Sequence, residues 1–132
     1  MVSLKDIPQS PIKSFNITID EYTNFDEFDN FTIKVNNEEF IFYAIGDCCS
    51  MSRFKVYKDK PFSTLIGKTL EKLEEVEFPD DYEYKTDIDD DDICVLSHLY
   101  QFSFKDNSEP FQFLLINYSN GYYDGWIQIE KK

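Results

Sequence analysis

Alternation of apolar and polar positions is the strongest signal in this chain. Phe31, Ile33 and Val35 alternate with Thr32 and Lys34, a polar Asn36-Asn37-Glu38-Glu39 stretch follows, and Phe40 to Ile45 returns with apolar residues on both faces. A period of two predicts strands, and the polar break predicts a hairpin between them. With Val35 set opposite Phe40, Ile33 meets Phe42 and Phe31 meets Ala44, so apolar partners face each other across the pair. The returning strand, apolar on both faces, is expected to be a buried central one.

Residues 1–13, with Pro8 and Pro11, read as an extended arm, followed by a short strand at Phe15 to Ile19 and a polar loop from Asp20 to Asp29. Phe54 to Tyr57 predicts a further strand before the Lys58-Asp59-Lys60-Pro61 turn. The stretch "TLIGKTLEKLEEVEF" supports two readings, because Leu70, Leu73 and Val76 suit a helix face while its end alternates as a strand does. A strand or a single short helix is expected there.

From Ile93 to Phe104, Cys94, Leu96, His98, Tyr100, Phe102 and Phe104 fall on one face, and Phe111 to Tyr118 predicts another strand. "SNGY" is a strong short hairpin signal, since Asn-Gly tolerates the positive φ of a type I′ turn. That turn would set Tyr118 against Tyr123, Leu114 against Ile127 and Gln112 against Ile129, making the C-terminal third a three-stranded antiparallel meander. The expected fold is mainly β, or α+β with little helix: an antiparallel sandwich or a strongly bent sheet with β-hairpins. One domain over residues 1–132 is expected, with the arm at 1–13 and an acidic loop at 77–92.

Composition adds the nature of the core. The 132 residues are 42% hydrophobic and include 13 Phe and 9 Tyr, which excludes a disordered chain and makes the core aromatic. The net charge of -13 argues against direct nucleic-acid binding, which relies on Lys and Arg to neutralise phosphates. Between Glu77 and Asp92 nine acids stand against Lys85, a net of -8 in one segment. No run approaches the roughly 20 apolar residues of a membrane helix, and Met1 to Pro11 does not resemble a signal peptide. No membrane association and an intracellular location are therefore expected. The sequons at Asn16, Asn30 and Asn117 then read as accidents of an Asn-rich composition, and three cysteines fit a reducing compartment.

Each candidate site has a structural reading beside the chemical one. Cys48 and Cys49 are adjacent, whereas metal ligands are usually spaced C-x₂₋₄-C, so packing at a strand end is expected over metal or redox chemistry. His98, the sole histidine, shares a face with Leu96 and Tyr100 and reads as a satisfied core histidine before a general base. Asp87, Asp89 and Asp91 have calcium-loop spacing, but an EF-hand loop starting at Asp87 needs Gly and Glu where Asp92 and His98 stand. With Asp90 and Asp92 they read as a solvated acidic loop, and their clustering argues against mimicry of a phosphate backbone. "NYSNGYYDGW" gathers Tyr118, Tyr122, Tyr123 and Trp126 around a turn, the composition of a contact surface. Asp47 and Asp124 are the polar residues placed to converge with it. No G-x-S-x-G, P-loop or H-E-x-x-H pattern supplies a reaction, and no cofactor is implied.

Asp47-Cys48-Cys49, Leu65-Ile66-Gly67 and Ser119-Asn120-Gly121-Tyr122-Tyr123 occur in that order over about Phe31 to Ile129. This combination resembles a family of small uncharacterised proteins of phages and large DNA viruses that carry D-C-C, L-I-G and S-N-G-Y-Y motifs. The chain departs from the pattern at Ser50, where members usually have an acidic residue, and in the acidic insert before Ile93. The resemblance implies a viral origin and no reaction. Together the readings point to an acidic accessory protein that acts by binding another protein, in the host cytoplasm or with the virion. Its aromatic turn region and acidic loop would form the contact. The alternative is a small-molecule or nucleotide binder, or a cryptic enzyme, with a pocket near Asp47, Asn120 and Tyr122.

Overall fold

The computed structural model describes residues 2–17, 27–46, 51–79, 94–119 and 125–132, with backbone alone at 94–96 and 119. Its strands are β1 (Ile12–Ile17), β2 (Glu27–Phe28), β3 (Asn30–Val35), β4 (Glu38–Gly46), β5 (Met51–Val56), β6 (Leu70–Val76), β7 (Cys94–Phe104), β8 (Phe111–Ser119) and β9 (Gly125–Lys131). They form two antiparallel sheets, one ordered β1-β3-β4-β9 and the other β2-β5-β8-β7-β6. Helical structure among the described residues is limited to short 3₁₀ turns at Leu4–Asp6 and Phe62–Leu65. The mainly β expectation holds, in its sandwich form.

Phenylalanine joins the two layers. Phe31 on β3 and Phe42 on β4 stack at 4.8 Å, and across the sandwich Phe31 meets Phe54 edge-on at 5.0 Å while Phe42 meets Phe102 at 5.8 Å. Phe62, from the turn before Leu65, closes the open side against Phe111 at 5.0 Å. Offset and edge-to-face rings add roughly 0.5–1.5 kcal/mol per pair beyond the area they bury. A second cluster of Leu99, Leu114, Ile116 and Tyr57 packs with Val76, Phe78 and Tyr118, so β8 buries both of its faces.

The β3–β4 hairpin is present, two residues out of the expected register. Val35 pairs with Glu38, Ile33 with Phe40 and Phe31 with Phe42, around a two-residue turn in which Asn36 takes a φ of 56°. A shift of two keeps every side chain on its face, so Ile33, Val35, Phe40 and Phe42 are buried as alternation requires. β4 is central in its sheet, but Ile41, Tyr43 and Ile45 on its outer face are only partly buried, which corrects the expectation of burial on both faces.

The C-terminal meander is not formed. β7 and β8 do pair, but β8 is flanked by β5 and β7, while β9 lies in the other sheet beside β4. Leu114 is opposite Lys55 and Leu99, Ile127 is opposite Ala44, and Ile129 is opposite Phe42. Both edges of β8 are occupied, so the hydrogen-bonding groups of β9 find their partner on the free edge of β4.

The arm is also bound to the fold. Val2 N–H donates to the Ile129 carbonyl at 3.0 Å, Ile7 is buried, and β1 begins at Ile12, three residues before the expected strand. The ambiguous stretch resolves as a 3₁₀ turn, Gly67 at φ 87° and edge strand β6, the strand reading of the two. A non-glycine residue at Gly67 would meet the left-handed backbone region.

Candidate functional site

Two chain crossings between the sheets start and finish at neighbouring strand ends, which form one corner. β4 ends at Gly46 opposite Gly125, the first residue of β9, and β5 begins at Met51 opposite Tyr118, near the end of β8. The segments 47–50 and 120–124 therefore leave and re-enter the sandwich from neighbouring strand ends. Asp47, Cys48, Cys49, Asn120, Gly121, Tyr122, Tyr123 and Asp124 lie outside the described residues, as do Asp87, Asp89, Asp90, Asp91 and Asp92. Of the aromatic group expected around the turn, Tyr118 and Trp126 are described.

A polar frame holds the corner together. Asn117, fully buried, donates from Nδ2 to Ser52 Oγ at 2.9 Å, which links β8 to β5 across the inner face. Gly125 packs so closely on Ser52 that a side chain there would collide with the Ser52 hydroxyl and approach the Ile45 carbonyl to 2.7 Å. Beside this, Arg53 is 3% exposed, its Nε 3.4 Å from Glu27 Oε1, and the Tyr118 hydroxyl donates to the same carboxylate at 3.0 Å. Sequence reasoning missed Glu27, Ser52, Arg53 and Asn117 as a group. The available signal was Arg53, the one arginine in a chain otherwise cationic through lysine, because a planar guanidinium suits buried carboxylate pairing better than an ammonium.

Outside the frame stand apolar side chains with little cover. Met51 and Trp126 are each 44% exposed and, with Ile66, are the large apolar residues most open to solvent among those described. Trp126 faces outward beside Ile45, and below it Tyr43 and Ile41 continue the stripe, lining a shallow groove of about 410 Å³ with Gln128, Glu130 and Lys131. His98 lies on the inner side of β7 with Nδ1 3.1 Å from Glu75 Oε2, a satisfied histidine at the rim of the core. Among the described residues no group of His, Cys, Asp or Glu is arranged to hold a metal ion.

The described residues are nearly neutral. The described residues carry 13 acids against 12 bases, a net of -1, so -12 of the total -13 belongs to segments 18–26, 47–50, 80–93 and 120–124. Gly46, Met51, Cys94, Ser119 and Gly125, which flank three of these segments, stand at neighbouring strand ends, and β1 and β6 run towards the same end. At the opposite end lysines meet their own carboxylates: Lys60 with Glu109 at 2.7 Å, Lys68 with Asp106 at 3.5 Å and Lys131 with Glu38 at 2.6 Å.

The paired end gives a titration prediction. The hydrogen bond from Lys60, and then its charge, hold the Glu109 carboxyl below its ordinary range; Ser108 hydrogen bonds, and less strongly Lys68, do the same for Asp106. Both depressed values mean stabilisation present above the unfolded-state pKa and lost as pH falls through the folded one. Lys60→Met is expected to return Glu109 towards an ordinary carboxylate while Asp106 stays low, read by carboxyl NMR titration. Equal upward movement of both would contradict the assignment.

No family model matches the chain, and no solved structure matches it. The chain is 35% identical over 95 residues to "Uncharacterized protein L278" of Acanthamoeba polyphaga mimivirus, an alignment covering 69% of this chain and 68% of that protein. No helix among the described residues is long and apolar enough to cross a membrane.

Proposed function

This chain belongs to the same family as that mimivirus protein, and from that premise we propose that it is a viral accessory protein that binds another protein at the corner where the sheets exchange strands. The observation that carries the reading is a pair of exposed apolar side chains beside strand ends from which acidic segments start. Exposed Met51 and Trp126 flank the corner, and the segments rooted around it carry nearly all of the net charge. Apolar anchors supply affinity once desolvated, while a field of one sign raises the encounter rate and selects the partner.

Asp47, Cys48, Cys49, Asn120, Gly121, Tyr122, Tyr123 and Asp124 are assigned to the contact surface in this proposal, with Asp87 and Asp89 to Asp92 as its long-range attraction. The buried frame beneath supports that assignment, because Ser52, Asn117 and Gly125 hold the strand ends from which those segments start. A rigid base lowers the entropic cost of presenting a contact surface.

Affinity capture with the full chain from lysate of infected cells tests the proposal. A defined protein is expected to be retained at low salt, released at high salt, and lost from the Met51→Ser/Trp126→Ser double variant. A retained metabolite without protein, or identical capture by wild type and the double variant, would overturn it.

A further inference from the structure

We infer that residues 2–7 form a strap that two copies of this chain exchange, each strap closing the sandwich of the other. β9 is the outer strand of one sheet and β6 of the other, and the strap lies across the opening between them. Val2 N–H donates to the Ile129 carbonyl on β9, and Ile7 is 5% exposed inside the main core. Leu4 and Ile7 line a groove of about 300 Å³ with Leu70 and Leu73 of β6. The occupant of this cleft is therefore in view: it is the chain's own segment. A second copy carries the same segment, with the same donor and the same buried side chain, so exchange keeps every contact.

Hydrogen bonds set the boundaries of the strap. Within it, Ser3 N–H and Oγ donate to Asp6 Oδ2 at 2.8 and 3.3 Å, and Ile7 N–H donates to the Leu4 carbonyl at 3.1 Å, so the turn holds itself and leaves its seat as one piece. From Ile12 onward the chain is pinned: Ile12 N–H donates to the Lys68 carbonyl at 2.9 Å, and Gly67 N–H donates to the Ile12 carbonyl at 2.8 Å. Between the two, Pro8 and Pro11 bracket a tight turn closed by Ser10 N–H donating to the Pro8 carbonyl at 2.9 Å. That bond folds the link so that the strap reaches its own sandwich, whereas an extended link carries it towards another. Lys5 and Asp6 on the strap cancel, as do Glu71 and Lys72 on β6, so the seat itself does not repel a second copy. The opposition comes from the net charge of -13 on each chain, which salt screens.

Ser10→Pro tests the exchange and leaves the sandwich from Ile12 onward untouched. It removes the Ser10 donor and drives Gln9 to extended backbone, so the turn cannot close. Sedimentation of the full chain is expected to show wild type as a monomer at about 0.01 mM, with dimer growing towards roughly 1 mM, the effective concentration of a short link. Ser10→Pro should lower the half-dimer concentration at least about ten-fold, since the strap no longer competes for its own seat. Raising salt to about 0.5 M should lower it further in both chains. Within the Ser10→Pro chain, Ile7→Ser should abolish the dimer and Ile7→Val should keep it. The Val2 amide, seated on Ile129 in monomer and dimer alike, should stay protected from hydrogen exchange.

A Ser10→Pro monomer with Val2 still protected would overturn the exchange, because the strap would then reach its own seat without the turn. A Ser10→Pro monomer with Val2 unprotected would overturn the second copy as occupant and leave the cleft to a segment of some other protein. A dimer that survives Ile7→Ser, or that salt disperses, would place the contact elsewhere and overturn the strap as its cause.

Discussion

Truncating Phe31 to alanine is expected to lower stability by about 3–5 kcal/mol, the range for removing a fully buried aromatic ring. Phe31 is 0% exposed and touches rings from both layers: Phe42 at 4.8 Å, Phe54 at 5.0 Å, Phe62 at 5.3 Å, Phe15 at 5.4 Å and Phe113 at 6.5 Å. Those neighbours are held by separate strands and by the 3₁₀ turn at Phe62–Leu65, so they cannot all close on the vacated space. The cavity therefore persists. Urea unfolding should show a lower midpoint with an unchanged slope, since the surface exposed on unfolding stays the same. Phe31→Leu should lose less, because most of the volume remains. A loss below about 1 kcal/mol for the alanine variant, the size of an ordinary substitution, would show that the sheets are joined elsewhere.

The second large effect belongs to the corner. Gly125→Ala is expected to destabilise by about 3 kcal/mol or more, the upper end for overpacking, because one of the atoms it meets is backbone. An added Cβ collides with the Ser52 hydroxyl and comes within 2.7 Å of the Ile45 carbonyl, which belongs to the paired strand and cannot rotate away. Its φ is not in the left-handed region, so glycine is needed here for close approach and not for backbone freedom. Adding Ser52→Ala should recover only part of the loss, since the Ile45 contact stays and the hydrogen bond from Asn117 is removed. Thermal unfolding of the single and double variants measures both. Full recovery would mean that the serine alone sets the requirement.

Both effects concern positions whose importance differs in legibility. Phe31 is legible because its alternation with Thr32 and neighbours on a strand places it on the core face whatever the partner strand is. Gly125 is not, because nothing in "YDGW" says that β5 passes beside it. The candidate site shows the same division: Trp126 and the charge excess are visible in the chain, whereas the frame of Glu27, Arg53 and Tyr118 joins residues up to 91 positions apart.

By itself the sequence determined the strands with clear alternation, the mainly antiparallel β class, that phenylalanine makes the core, and which face of each clear strand points inward. These follow from local alternation, and a register error of two at Asn36-Asn37 leaves them intact. Only the tertiary structure decided which strands are neighbours. Asn120-Gly121 carries a local preference for a hairpin, but that preference is worth less than pairing a whole strand, and β9 pairs where an edge is free beside β4. The same choice starts both crossings from neighbouring strand ends. Sheet partnership is a competition among all strand edges at once, so it cannot be read from any one segment of the chain.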